Sequence, residues 1–122
     1  MAKIGQFVWT EIAFKENDGR KKNRPVLIIG KVRADNGDMV YLGAPRYSAI
    51  EKCRGEIEVV ISEREAQLVG LDKAGVVRFS RNELVAFFER DIITERGHYT
   101  QCSPLTQKAL ENAAKSVRYP LK

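Results

Sequence analysis

The stretch Lys22-Asn23-Arg24-Pro25-Val26-Leu27-Ile28-Ile29-Gly30 decides how the rest of the chain is read. A residue before proline is pushed toward extended backbone. Proline itself is tolerated at a strand's first residue, where no N–H is needed. Arg24 is therefore expected at a loop–strand junction, with the apolar run 26–29 as a strand buried on both faces. Upstream, 6–14 carries Phe7, Val8, Trp9, Ile12 and Phe14, β-formers with partial alternation. Downstream, Asn36-Gly37 is a hairpin turn signal, which makes 39–42 the return arm. Three further strands are expected over 56–61, 76–79 and 84–88.

Two helices interrupt or close this series. Ser62-Glu63-Arg64-Glu65 matches a capping box, and Gly70 is placed to stop the short helix that follows. Ser103 can cap a second helix and Pro104 suits its first turn. Leu105, Ala109, Ala113 and Val117 recur every four residues along it, and Pro120 prevents continuation. A chain of 122 residues with 43% hydrophobic content suits one folded domain, 1–122. The expected class is mainly β (α+β). It is a small SH3-like barrel or strongly bent antiparallel sheet of about 5–7 short strands with a C-terminal helix.

Charge and cysteine usage narrow the function. Lys and Arg number 21 against 16 Asp and Glu, a net charge of +5, which suits a polyanionic partner. Cys53 and Cys102 are far apart and His98 is the single histidine. That set offers no zinc-binding spacing and no disulfide scaffold, so idle thiols, no metal and no cofactor are expected. The opening Met1-Ala2-Lys3-Ile4-Gly5-Gln6 does not read as a secretory signal. No apolar run approaches the ~20 residues that span a bilayer. A cytoplasmic location away from the membrane is the expectation.

Three segments together carry a family likeness. Lys22–Gly30 resembles the Arg-Pro-strand signature of the MazF/PemK toxins of type II toxin–antitoxin systems. Gly5-Gln6-Phe7-Val8-Trp9 is similar to their first strand, and Ala74-Gly75-Val76-Val77-Arg78 resembles the Gly-Val-Val-Arg strand of the Kid/PemK branch. The three occur in family order, and the likeness covers roughly residues 4 to 118. It implies a sequence-specific, metal-independent endoribonuclease that cleaves single-stranded RNA, a homodimer with a MazF/CcdB-like fold, and an acidic antitoxin partner. Arg24 and Arg78 are its implied phosphate-binding catalytic residues. Ser80 stands where the branch has an aspartate, and Asp18 falls near the position of its histidine. In Ala44-Pro45-Arg46-Tyr47-Ser48, Tyr47 falls where many members have a threonine.

The residues themselves leave several roles open. The loop 15–22 holds Lys15, Arg20, Lys21 and Lys22 against Glu16 and Asp18; it is a phosphate clamp with Arg24 or a solvated charged loop. Lys21, Lys22, Arg46, Tyr47 and Ser48 are candidate RNA contacts, with Tyr47 stacking on a base and Arg46 meeting phosphate. The alternative there is a turn with an exposed aromatic. Alternation puts Arg78 and Ser80 on one strand face, with Val77 and Phe79 on the other. Arginine holds its proton too tightly to serve readily as acid or base. The base is open among Asp18, Glu16 and His98. A degenerate scaffold that binds RNA or a protein without cutting, and a CcdB-like gyrase inhibitor, are the competing functions.

Overall fold

In the computed structural model, residues 2–13, 21–48, 57–81 and 83–118 are described. They form one antiparallel sheet of seven strands, two α-helices and two 3-10 turns. The strands are β1 (Gln6–Ala13), β2 (Lys21–Arg33), β3 (Met39–Tyr47), β4 (Glu58–Ile61), β5 (Gly75–Arg78), β6 (Val85–Phe88) and β7 (Ile92–His98). The helices are α1 (Glu63–Leu68) and α2 (Pro104–Arg118). The sheet runs β4-β5-β3-β2-β1-β7, and β6 pairs with β3 outside that path. The expected small, mainly antiparallel α+β fold with a C-terminal helix is what forms, as an open sheet.

The Arg-Pro stretch lies inside a strand, and this corrects the expected junction. β2 runs for 13 residues, and Arg24 and Pro25 pair with Thr10 and Trp9 of β1. The ladder between β2 and β3 ends at Val26↔Pro45. Pro25 thus sits where β2 has a ladder neighbour on β1 alone, which is how a proline fits inside a strand. The run 26–29 is buried on both faces as expected. Leu27 and Ile29 join a core with Phe7, Ala44, Val77 and Leu110, whereas Val26 and Ile28 join a second one with Val8, Tyr41 and Phe87. Ile29 is the extra residue at a register shift between β2 and β3.

Local chemistry explains most of the remaining elements. Asn36-Gly37 closes the β2–β3 hairpin: Gly37 has φ 91°, and Asn36 Oδ1 accepts from the Asp38 N–H at 3.0 Å. The capping box forms at α1, with Ser62 Oγ accepting from Glu65 N at 3.2 Å. Glu65 Oε1 lies 3.0 Å from Ser62 Oγ, and Oε2 accepts from Ser103 N and Oγ at 3.3 and 3.1 Å, so one carboxylate ties together the starts of both helices. In α2 the buried face is Leu110, Ala113, Ala114 and Val117, and Leu105 is 82% exposed. The expected stripe was right at Ala113 and Val117 but is displaced at its start, where Leu105 is exposed and Leu110 is buried instead. β7 was not expected; its Ile-Thr-Glu-Arg-Gly composition lacks an apolar run. No helix among the described residues is long and apolar enough to cross a membrane.

Candidate nucleic-acid interface

Strand register assembles a cluster of charged side chains around one aromatic ring. Tyr47, the last residue of β3, is paired with Val76 of β5, which makes Arg78 its diagonal neighbour two residues on. Glu58 of β4 lies directly opposite Arg78. Extending the β2–β3 register by two residues beyond Val26↔Pro45 sets Arg24 against Tyr47. Alternation along each strand then places these side chains together on one face.

The contacts follow from that placement. The Arg24 guanidinium carbon lies 4.6 Å from the centre of the Tyr47 ring and that of Arg78 lies 4.7 Å from it, both in cation–π range. Arg78 Nε is 3.3 Å from Glu58 Oε1, and its Nη1 donates to Glu83 Oε1 at 3.3 Å. Arg46 is 4% exposed; its Nη2 meets Asp72 Oδ1 at 2.7 Å, and its Nη1 donates to the carbonyls of Lys73 and Ala74. Burial pulls the Arg24 guanidinium below its ordinary value; Tyr47 opposes this, and the Arg46 and Arg78 charges reinforce it. Three guanidinium groups therefore share one field, which carboxylates partly offset.

Gly75 makes room for this arrangement. A Cβ there would come within 2.3 Å of the Tyr47 carbonyl oxygen and 2.5 Å of Arg46 Cδ. The Gly-Val-Val-Arg sequence thus carries a steric requirement at its first residue and a charged one at its last.

The sequence-selected residues divide clearly. Arg24, Tyr47 and Arg78 converge, and Arg46 braces the neighbouring loop rather than facing outward. Ser48 follows β3 and is exposed. Lys21 and Lys22 belong to β2, paired with Ala13 and Ile12. Asp18, Glu16, Lys15, Arg20 and Cys53 lie outside the described residues. Ser80 lies beyond the end of β5, which stops at Arg78. Its carbonyl accepts from the Glu83 and Leu84 N–H groups at 2.9 and 3.1 Å, forming a turn that carries the Glu83 carboxylate back to Arg78. Glu58, Glu83 and Asp72 were not anticipated. Their partners are set by register and turn closure, which no local pattern reveals.

His98 is committed elsewhere. Its Nε2 donates to the Ile4 carbonyl at 2.8 Å, since a carbonyl can only accept. Its Nδ1 is then the acceptor for Thr100 N at 3.2 Å. Gly5, at φ 89°, packs so closely that a Cβ would meet His98 Nε2 at 2.6 Å. This histidine closes the end of β1 on β7. Cys102 is buried, and burial together with Glu65 pushes its thiol up to about 11, which keeps it protonated and unreactive. Among the described residues no group of three His, Cys, Asp or Glu side chains is placed to hold a metal ion. No family model matches the chain, and no curated protein does either.

Proposed function

We propose that this chain is a MazF/PemK-like endoribonuclease that cleaves single-stranded RNA without a metal, acting as the toxin of a toxin–antitoxin pair. The observation that carries the reading is the convergence of the Arg24 and Arg78 guanidinium groups on the Tyr47 ring. Two arginines brought together from strands more than 50 residues apart supply forked donors for the non-bridging oxygens of one phosphate. As the 2′ oxygen attacks phosphorus, charge builds on those oxygens, and fixed cations stabilise it most at that stage. Tyr47 holds both forks, and Arg46 with Asp72 fixes the segment beside it. The net charge of +5 supports the approach of a polyanion. In this reading the protein is a cytoplasmic homodimer, and an acidic antitoxin inhibits it by competing for the same arginines.

A binding-only scaffold is the second reading. It is favoured by the pairing of Arg78 with both Glu58 and Glu83, which neutralises one of the two converging charges. Incubating the purified chain with a long unstructured RNA in excess EDTA separates the two. Cleavage is expected with the wild type and is expected to vanish in Arg24→Ala/Arg78→Ala, each lost phosphate contact costing about 1.5–3 kcal/mol. RNA binding without cleavage in a folded wild type would establish the scaffold reading instead.

A further inference from the structure

We propose that Glu83 is the general base of the cleavage reaction and takes up that role when a substrate phosphate displaces it from Arg78; this rests on the ribonuclease reading above. The two carboxylates on Arg78 are held differently. Glu58 is fixed in the β4–β5 ladder directly opposite Arg78, so its position belongs to the sheet. Glu83 lies after β5, outside every ladder, in the turn closed by its own N–H on the Ser80 carbonyl. Only one of its oxygens meets Arg78. The other, Oε2, is buried and has no hydrogen-bond partner among the described residues. A desolvated carboxylate oxygen without a donor is costly, so the Arg78–Glu83 hydrogen bond leaves half of this carboxylate unmatched.

A phosphate on Arg78 offers that guanidinium a better-matched anion. The displaced carboxylate then stands beside the nucleotide with Oε1 freed from Arg78 and able to accept from a hydroxyl. The 2′-hydroxyl gives its proton to Glu83, the 2′ oxygen bonds to phosphorus, and the bond from phosphorus to the 5′ oxygen breaks. That leaving oxygen takes a proton from water, and the hydroxide so formed removes the proton from Glu83 and restores the carboxylate. A 2′,3′-cyclic phosphate and a 5′-hydroxyl result, with no metal or other reactant consumed.

The test separates binding from chemistry. A fully 2′-O-methylated RNA is an uncleavable probe for binding, and the matching unmodified RNA reports single-turnover cleavage. Removing the competing charge in Glu83→Gln is expected to tighten probe binding about two- to fivefold, the range of a modest ion pair. The same variant is expected to slow cleavage by a factor of about 100 or more. Glu83→Asp, which keeps a carboxylate, is expected to recover part of the rate and carries the test if Glu83→Gln does not fold. Cleavage by Glu83→Gln at the wild-type rate overturns the assignment and leaves the ribonuclease reading intact. Parallel loss of binding and cleavage overturns it too, since Glu83 would then only brace Arg78. A wild type that cuts no RNA removes the ribonuclease reading and this proposal with it.

Discussion

Replacing Tyr47 by leucine tests whether the ring organises the two arginines. The substitution keeps an apolar side chain at a half-buried strand position and removes the aromatic face together with the phenol hydroxyl. Two guanidinium groups lie at 4.6 and 4.7 Å from the ring centre. Cation–π contacts range from about 0.5 kcal/mol when exposed to about 2 kcal/mol when desolvated. The pair at this half-buried ring is therefore worth about 1–3 kcal/mol. At about 4 °C per kcal/mol for a domain of this size, the unfolding midpoint should fall by roughly 4–12 °C. Thermal unfolding of Tyr47→Leu, Arg24→Met and the double variant isolates one contact, because each single change removes the same pair. The expected coupling is about 0.5–1.5 kcal/mol. The Arg78 leg is less clean, since its loss strands Glu58 and Glu83. Tyr47→Leu should also weaken RNA binding about tenfold, equivalent to about 1.4 kcal/mol, as both forks lose their support. A coupling indistinguishable from zero, with RNA affinity unchanged, would refute the organising role.

Glu65→Gln should destabilise the chain by about 1–3 kcal/mol at neutral pH, because one carboxylate serves the starts of both helices. Burial raises its proton affinity, but hydrogen bonds from Thr106, Ser62 and Ser103 outweigh that and hold its pKa below the ordinary carboxylate value. A depressed folded-state pKa gives stabilisation that is present above the unfolded value and is lost as pH falls through the folded one. Urea unfolding across acidic pH should therefore be flatter for Glu65→Gln than for the wild type, and parallel curves would count against the bridge. Gly75→Ala should cost about 1–3 kcal/mol, since its Cβ would meet a backbone oxygen that cannot step aside. Denaturant midpoint and RNA affinity should fall together, and a variant as stable as the wild type would show that the strand shifts freely.

Much of the scaffold was legible because it rests on local chemistry. The capping box at Ser62, the Asn36-Gly37 hairpin and the doubly buried run 26–29 each need only a few neighbouring residues to be read. The displaced apolar stripe of α2 shows where this stops: Leu105 has the right spacing, but it is exposed and Leu110 is the residue that packs into the core. β7 forms because β1 offers it a free edge, a tertiary cause invisible in Ile92–His98 itself. The site was half legible. Arg24 and Arg78 stood out through their motifs, and Tyr47 through its type. Their meeting depends on a register across β2, β3 and β5 that single-sequence patterns do not encode, and so do the partners Glu58 and Glu83.

The carboxylates also bear on how such a cluster can exist without RNA. Guanidinium groups several ångströms apart repel by a few kcal/mol at the effective dielectric of a protein surface. Burial adds to the cost for Arg24, whose pKa is depressed by it and by Arg46 and Arg78. Asp72 holds Arg46, and Glu58 and Glu83 hold Arg78, so the anions that keep the fold stable also offset the positive charge that the proposed function needs. The two demands are reconciled if the anions are unequal. Glu58, opposite Arg78 in a ladder, serves stability continuously. Glu83 sits on a turn outside the ladders with one buried oxygen unbonded, and under the proposal above it is the anion that exchanges. Neutralising Glu58 should therefore lower stability more than neutralising Glu83, and neutralising Glu83 should favour RNA more than neutralising Glu58. That opposite ordering of two glutamates on one arginine separates a site built for exchange from an ion-pair network built only for stability.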